Sequence, residues 1–403
     1  MNDLTDHAIP YARQSIAAED ISAVSAVLEC DRLTTGPEVD AFELEIAAAV
    51  GAKFAVACSS GTAALHLAAA ALELNPGDAV AVPTITFVAT ANAARFCNAD
   101  VVFVDVDPKT GLMDLDSLKR AFDEPEGGRI KAVFPVHLAG QSADLKAIRR
   151  LTEKNGARVV DDAAHAFGTR GVPGDPNCHI GDGSYADMTA FSFHPVKTIT
   201  TGEGGAVTTN DAAMHERLMR LRNHCQVRDA AAWQNRARAA EAARGPHPWY
   251  YEVAGLGFNY RITDLQCALG RSQLRRLDSF VARRAEIAEH YRAELTRMGP
   301  HIEPLGRIAD CRPAWHLAIA LIDFDSVGLA REEFMRSLWA AGIGTQVHYI
   351  PVHRQPYYQG LYGERTLPGA EAYYAKALSL PLFPAMTDTD AARVIDALAH
   401  LLS

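Results

Sequence analysis

The sequence predicts an α/β fold: a large domain on a mainly parallel seven-stranded sheet, followed by a smaller α+β domain at the C-terminal end. Three observations carry this. Between roughly Phe54 and Thr209, short apolar runs alternate with amphipathic segments, the pattern of strands joined by crossover helices. After Asp211 the texture turns helical. The chain has 403 residues, enough for two domains, and its 48% hydrophobic content can supply a core for each.

Taken in order, the expected strands are FAVAC, AVAVP, VVFVDV, IKAVFPV, ARVVDD, MTAFSF and GAVTTN. A helix from Thr62 to Leu74 opens directly after Ser59, Ser60 and Gly61, and another from Ala143 to Asn155 stops near Gly156. The glycine-rich stretch Gly171 to Gly183 reads as a loop. The charged, Ala- and Arg-rich stretch Arg228 to Arg244, closed by Gly245, Pro246 and Pro248, reads as a solvated helical or loop insertion. Then come a long helical pattern from Thr263 to Leu295, a strand-like WHLAIALI and a last helix from Asp388 to Leu402. The boundary is placed between residues 262 and 263, giving a large domain 1–262 and a small domain 263–403. No internal repeat is visible.

A formal charge of −10 argues against a nucleic-acid surface, which needs clustered Lys and Arg, so any bound phosphate must meet a local pocket. The opening MNDLTDHAIP lacks a signal-peptide pattern. The longest apolar region, Ala79 to Ala94, is interrupted by Pro83, three Thr residues and Asn92, which removes it as a membrane span. A soluble cytoplasmic protein is expected. Seven cysteines are scattered without CxxC or zinc-ligand spacing, so no metal is expected and most read as small buried hydrophobes. Cys178 beside His179 stands apart from the rest, in a polar, glycine-rich stretch for which a loop is the simpler reading.

Chemistry concentrates in a few segments. FSFHPVKTITTGEGG, Phe191 to Gly205, puts Lys197 just past a buried-looking strand and before a glycine loop. A partly desolvated amine there can lose its proton near neutral pH and attack an aldehyde to form a Schiff base. Gly202, Gly204 and Gly205 allow close backbone approach to a ligand. Alone, Lys197 reads far more readily as a solvated surface charge. VVDDAAHAFG, from Val159, places two carboxylates at a strand end, where open α/β sheets gather ligands. One of them can keep the ring nitrogen of pyridoxal 5′-phosphate (PLP) protonated, or simply cap the following segment. CSSGTAALHLA, Cys58 to Ala68, reads as strand, tight turn and helix start, whose free N–H groups cradle a phosphate. The nucleotide loop GxxxxGK[ST] is absent, so a cofactor phosphate suits it better than ATP, while Ser59 and Ser60 also read as ordinary caps. Phe87 in PTITFVAT can stack on a flat ring or belong to the core.

Phosphate cradle, aromatic, acidic strand end, lysine and glycine loop follow one another in the order that a PLP enzyme of the aspartate-aminotransferase-like fold, fold type I of the PLP-dependent transferases, requires. In order along nearly the whole chain stand LTTGPEVDAFE, SSGTAALHLA, FVATANA, DDAAHAFG, SFHPVK, TGEGGAVTTND, GFNYRITDLQCALG and QVHYIP. On these motifs the chain resembles the DegT/DnrJ/StrS family of sugar aminotransferases. Within it, the ADMT text at Ala186 to Thr189 before FSFHPVKTITTGEGG is most similar to the branch serving pseudaminic acid biosynthesis. The resemblance implies that Lys197 holds the cofactor and shuttles the proton, that Asp162 pairs with the pyridine nitrogen, that His165 approaches the PLP hydroxyl and that Phe87 stacks on the ring. It implies that Gly61, Thr62 and Ser192 hold the phosphate, with Asn259 reaching it from the second subunit of a homodimer with shared active sites. Tyr11, the stretch Asp31, Arg32, Leu33 and Thr34, and the stretch Gln346, Val347, His348 and Tyr349 are implied to line the sugar-nucleotide site. The implied partners are L-glutamate and a UDP-linked 4-keto-6-deoxy sugar, with another nucleotide sugar, of the perosamine or 4-amino-arabinose type, as the harder rival. A sugar dehydratase on this fold carries His at the lysine position, and a non-catalytic regulator is expected to have lost Lys197 or Asp162; both residues are present. Two departures stand out: Arg222, Asn223, His224, Cys225 replaces a common Arg-x-His-Gly, and the 228–244 and 171–183 segments are variable in character.

Overall fold

The computed structural model describes residues 8–124, 129–235, 239–241 and 245–402. Residues 1–7, on which part of the signal-peptide reading rests, lie outside the described residues.

All seven expected runs are strands. They are β1 (Phe54–Cys58), β2 (Ala79–Pro83), β3 (Asp100–Val104), β4 (Ile130–Val133), β5 (Arg158–Asp162) and, after a hairpin of β6 (Arg170–Val172) and β7 (Asp175–His179), β8 (Met188–Ser192) and β9 (Gly205–Thr209). The seven pair in the order β1-β9-β8-β5-β4-β2-β3. Every neighbouring pair is parallel except those of β9, which runs antiparallel to β1 and β8. Successive side chains point to opposite faces, and both faces are buried. Ala55, Ala57, Val104, Val159 and Phe191 enter one apolar cluster, and Val56, Val82, Phe103, Val160 and Ala190 the other.

Among the described residues, seven α-helices accompany this part of the chain: α1 (Ala18–Leu28), α2 (Pro37–Val50), α3 (Gly61–Ala71), α4 (Ala89–Phe96), α5 (Leu115–Asp123), α6 (Leu145–Asn155) and α7 (Ala212–Arg222). α3 starts where the serines and glycine place it, with Ser60 as its N-cap. α6 starts two residues later than the apolar pattern alone indicates, because Asp144 caps it by accepting from the Ala147 N–H at 3.0 Å.

Three expectations are corrected. The Gly171 to Gly183 loop contains the β6–β7 hairpin: Gly171 and Gly174 take up φ of +80° and +73°, and a Cβ on Gly171 would lie 1.9 Å from the Asp310 carbonyl oxygen. The long helical pattern is two helices, Asp264–Leu274 and Leu277–Arg297. Between them Arg276 turns aside to bond Asp20 and lie over the Phe280 ring, an anchoring invisible to periodicity. WHLAIALI is a strand only from Ala318, and Trp315 to Leu317 form an irregular lead-in. Of the 228–244 insertion, residues 236–238 and 242–244 lie outside the described residues. Around it β10 (Gln226–Val227) pairs with β13 (Glu252–Val253) and β11 (Ala240–Glu241) with β12 (Gly245–Pro246). Trp233 is buried there, edge-on to Tyr250.

The later chain forms an antiparallel sheet in the order β14 (Ile302–Pro304), β15 (Ala318–Ile322), β16 (Ala377–Leu380). Its core joins residues of helices Leu277–Arg297 and Asp388–Leu402. The N-terminal segment crosses to this region, where Ile9 bridges to Ile343. No helix among the described residues is long and apolar enough to cross a membrane.

Candidate active site

Parallel strands leave their C-terminal ends open as a ligand crevice, and here β5 and β8 deliver Asp162 and Ser192 to one. A cavity of about 440 Å³ lies there. It is lined by ten of the residues singled out in the sequence: Tyr11, Gly61, Thr62, Phe87, Asp162, His165, Ser192, Lys197, His348 and Tyr349.

Lys197 is carried on the turn after β8. That turn is closed on itself: the Phe193 carbonyl accepts from the Thr201 N–H and the Thr200 hydroxyl, and the Phe193 N–H donates to the Gly204 carbonyl. Burial pulls the Lys197 amine down to about 8, against the opposing pull of Asp162. Asp162 is itself fully enclosed, and burial raises its carboxyl above the ordinary range. Two donors hold the carboxylate in place: the Thr90 hydroxyl at 2.6 Å from one oxygen and the Ala164 N–H at 3.1 Å from the other.

His165 packs against His316, ring centroids 4.4 Å apart. Burial holds His165 far below its usual range, so the imidazole is neutral. Burial also pushes the Tyr349 phenol up, so it stays protonated, and its hydroxyl is hydrogen-bonded with His165 Nε2 at 3.0 Å. The other ring nitrogen, His165 Nδ1, is buried and has no hydrogen-bond partner among the described residues. That leaves an imidazole nitrogen that no described residue engages.

The phosphate-sized end is the N-terminus of α3. The Ser60 hydroxyl accepts from the Ala63 N–H at 3.1 Å, leaving the first-turn N–H groups of Gly61 and Thr62 for an anion. Gly61 is required by space, since a Cβ there would lie 2.7 Å from the Ser192 Cβ. Gly205 lets β9 pass the cradle, because its Cβ would fall 2.5 Å from the Ser60 carbonyl oxygen. Phe87 is more than half exposed, at 56%, on a loop after β2 rather than in the core.

These groups fit PLP: an anion cradle, a buried carboxylate for a ring cation, a spare imidazole nitrogen for a phenolic hydroxyl, and an amine for a carbonyl. Seven of the singled-out residues lie elsewhere on the chain. Asp31, Arg32, Leu33 and Thr34 are exposed, with Thr34 bridged to Thr263; Gln346, followed by Val347, is bridged to Ser379 of β16; and Asn259 is exposed and bridged to Asn223. Sequence reasoning missed Thr86, Thr90, His194, Glu203 and His316. Four of them lie inside quoted motifs, unmarked by any spacing rule. His316 had one signal, a histidine inside an otherwise apolar run.

A model of the DegT/DnrJ/EryC1/StrS aminotransferase family matches residues 14–399. The chain is 40% identical over 404 residues to the spore coat polysaccharide biosynthesis protein SpsC of Bacillus subtilis (strain 168), covering 98% of each. Among solved structures it is similar to PseC of Helicobacter pylori, an aminotransferase involved in the biosynthesis of pseudoaminic acid. The TM-score there is 0.86 at 27% identity, over 98% of this chain and 99% of that one. Another similar structure is the PLP-form of the Streptococcus pneumoniae sugar aminotransferase Spr1654, with a TM-score of 0.86 at 28% identity over 98% and 99% of the two chains.

Proposed function

We propose that this chain, which belongs to the DegT/DnrJ/EryC1/StrS aminotransferase family, moves an amino group from L-glutamate to the C4 keto group of a UDP-linked 4-keto-6-deoxy sugar. The product would be UDP-4-amino-4,6-dideoxy-N-acetyl-β-L-altrosamine, on the way to pseudaminic acid. The chain is a PLP-dependent sugar aminotransferase. The observation that carries the reading is the lysine amine and carboxylate buried together in one cavity at the strand ends. The PseC likeness, over 98% of the chain, supports the choice of sugar.

PLP supplies an electrophilic carbonyl and a ring that accepts electrons from the substrate carbon. Around it Gly61, Thr62 and Ser192 would hold the phosphate, Phe87 would cover the ring face, and His165 Nδ1 would donate to the ring hydroxyl. Asp162 would face the ring nitrogen and keep a positive charge there. Lys197 Nζ would accept the proton that leaves the donor's amine-bearing carbon and, in the reverse half, deliver one to the acceptor's former keto carbon, which a single amine that loses its proton at about 8 can do in both directions. Tyr11, His348 and Tyr349 would line the sugar side of the cavity, and Asp31 to Thr34, Gln346 and Val347, which lie outside its lining, would extend that site. Asn259 would reach the phosphate of a second copy.

One observation favours a second reading. The 40% identity to SpsC, named for spore coat polysaccharide, fits a 4-keto aminotransferase serving another nucleotide sugar. A panel of UDP-, GDP- and dTDP-linked 4-keto sugars with glutamate separates the two. Turnover of the UDP sugar above the others is expected, and exclusive use of a GDP- or dTDP-linked sugar overturns the first reading.

A further inference from the structure

His316 is fixed by three separate elements before its side chain reaches anything chemical. Its N–H donates to the Ala139 carbonyl at 2.9 Å, and its own carbonyl lies 3.4 Å from Nη1 of Arg284, a donor on the helix Leu277–Arg297. Two residues earlier the Ala314 N–H donates to the Thr169 hydroxyl at 3.0 Å, and that hydroxyl donates to the Gly140 carbonyl at 2.7 Å. A Cβ on Gly140 would lie 2.2 Å from the Ala314 carbonyl oxygen, so the two segments are pressed together with no slack. Arg284 is almost wholly buried and makes a second bond to the Leu382 carbonyl at 2.9 Å. The irregular lead-in to β15 is therefore as constrained as a strand, and it sets one imidazole into the cavity floor. The His316 Nε2 lies 3.5 Å from Lys197 Nζ, and its Nδ1 has no hydrogen-bond partner among the described residues.

We propose that His316 is a positioning residue for Lys197: its Nε2 accepts a hydrogen bond from the Nζ amine, keeps that amine directed into the cavity when nothing else engages it, and raises the pH at which it gives up its proton. The inference rests on reading Lys197 as the amine that holds the cofactor. Burial keeps His316 neutral, well below the usual histidine range, so one ring nitrogen is free to accept; on this proposal it is Nε2, with the ring hydrogen on Nδ1. The other groups facing Lys197 are Asp162 at the end of β5, His165 after it, His348 and Tyr349 from the segment before Ile350, Tyr11, Arg284, and His194 and Glu203 from its own turn. Asp162 favours the charged amine, while burial and Arg284 disfavour it. An acceptor on the ammonium favours the charged form too, so its removal must lower the half-point.

The full chain freed of cofactor, treated with cyanate across a pH series, reports this half-point through carbamylation of the Lys197 peptide read by mass spectrometry. The wild-type half-point is expected at about 8. His316→Leu should move it down by about one pH unit, and His316→Gln, whose amide oxygen still accepts, should restore most of the loss. A wall residue with no bond to the amine would leave the half-point in place, and an unmoved or raised value in a folded His316→Leu protein overturns the proposal. Should His316→Leu fail to fold, heteronuclear NMR of the wild-type imidazole decides. Hydrogen on Nδ1, with an Nε2 resonance that moves in Lys197→Met, is expected; hydrogen on Nε2 overturns it. Failure of the underlying reading shows elsewhere: Lys197→Ala protein that keeps the visible absorbance of lysine-bound cofactor and full turnover refutes the Lys197 assignment, while an unmoved half-point refutes His316 alone.

Discussion

Burial takes the Lys197 amine from an ordinary 10.5 to about 8, and that reactivity has a thermodynamic cost. Between those two values the unfolded chain holds the proton more often than the folded one, so stability climbs with pH across the window; below about 8 the folded state carries the whole penalty. The drop corresponds to about 3 kcal/mol. Lys197→Met should therefore raise the unfolding free energy of the cofactor-free protein near neutral pH by up to that amount. Urea titrations should show the gain shrinking above about pH 8 and vanishing near 10.5; a gain independent of pH would mean that the amine is not buried as described. Thr90 acts on the opposite charge. Its hydroxyl, 2.6 Å from Asp162, favours the ionised carboxylate against the burial that raises it. Thr90→Val should weaken PLP binding by about tenfold, and by more at mildly acidic pH than at alkaline pH, because the carboxyl then protonates sooner. Equilibrium titration with PLP at two pH values checks the sign.

At the scale of elements, the approach of α3 to β8 leaves no room for a methyl group. Gly61→Ala would place its Cβ 2.7 Å from the Ser192 Cβ, both on backbone that cannot swing away. A loss of about 1–3 kcal/mol in stability is expected, with a PLP affinity reduced further than the melting temperature alone accounts for, since the displaced N–H groups are the cradle. Equal affinity in the variant would remove α3 from the phosphate site. How far such elements were legible depends on whether their cause is local. The seven strands are short apolar runs between turn residues, and Ser60 with Gly61 announces the start of α3. The β6–β7 hairpin was not visible, because its residues are polar and its glycines serve positive φ and the close passage of Asp310. Likewise the break at Arg276 is made by Asp20, more than two hundred residues away. In the site, Lys197, Asp162 and the cradle stand at strand ends, which sequence order reveals. Thr90 and His316 act through neighbours brought in by folding, and no spacing in the chain encodes them.

For the whole molecule, the cavity of one chain leaves an asymmetry that a second copy would resolve. The cavity lining reaches Lys197 and the α3 cradle but not Asn259, which is exposed on the chain that made it. Just ahead of it Trp249, Tyr251, Val253 and Leu256 expose apolar surface, Leu256 at 87% and Trp249 at 74%. Exposed apolar side chains so close in sequence would suit a surface that a second copy covers. A two-fold pairing presents the same patch on both subunits, so each copy can lend its Asn259 to the other. Consider, then, two inactive proteins, Lys197→Ala and Asn259→Ala, unfolded together and refolded as a mixture. Half of the dimers are mixed, and each mixed dimer has one site with both substitutions and one with neither. Activity should return to about a quarter of the wild-type level per subunit, whereas each protein refolded alone stays inactive. If both residues served the same chain, every site in the mixture would carry one lesion, and no activity would return at any ratio of the two.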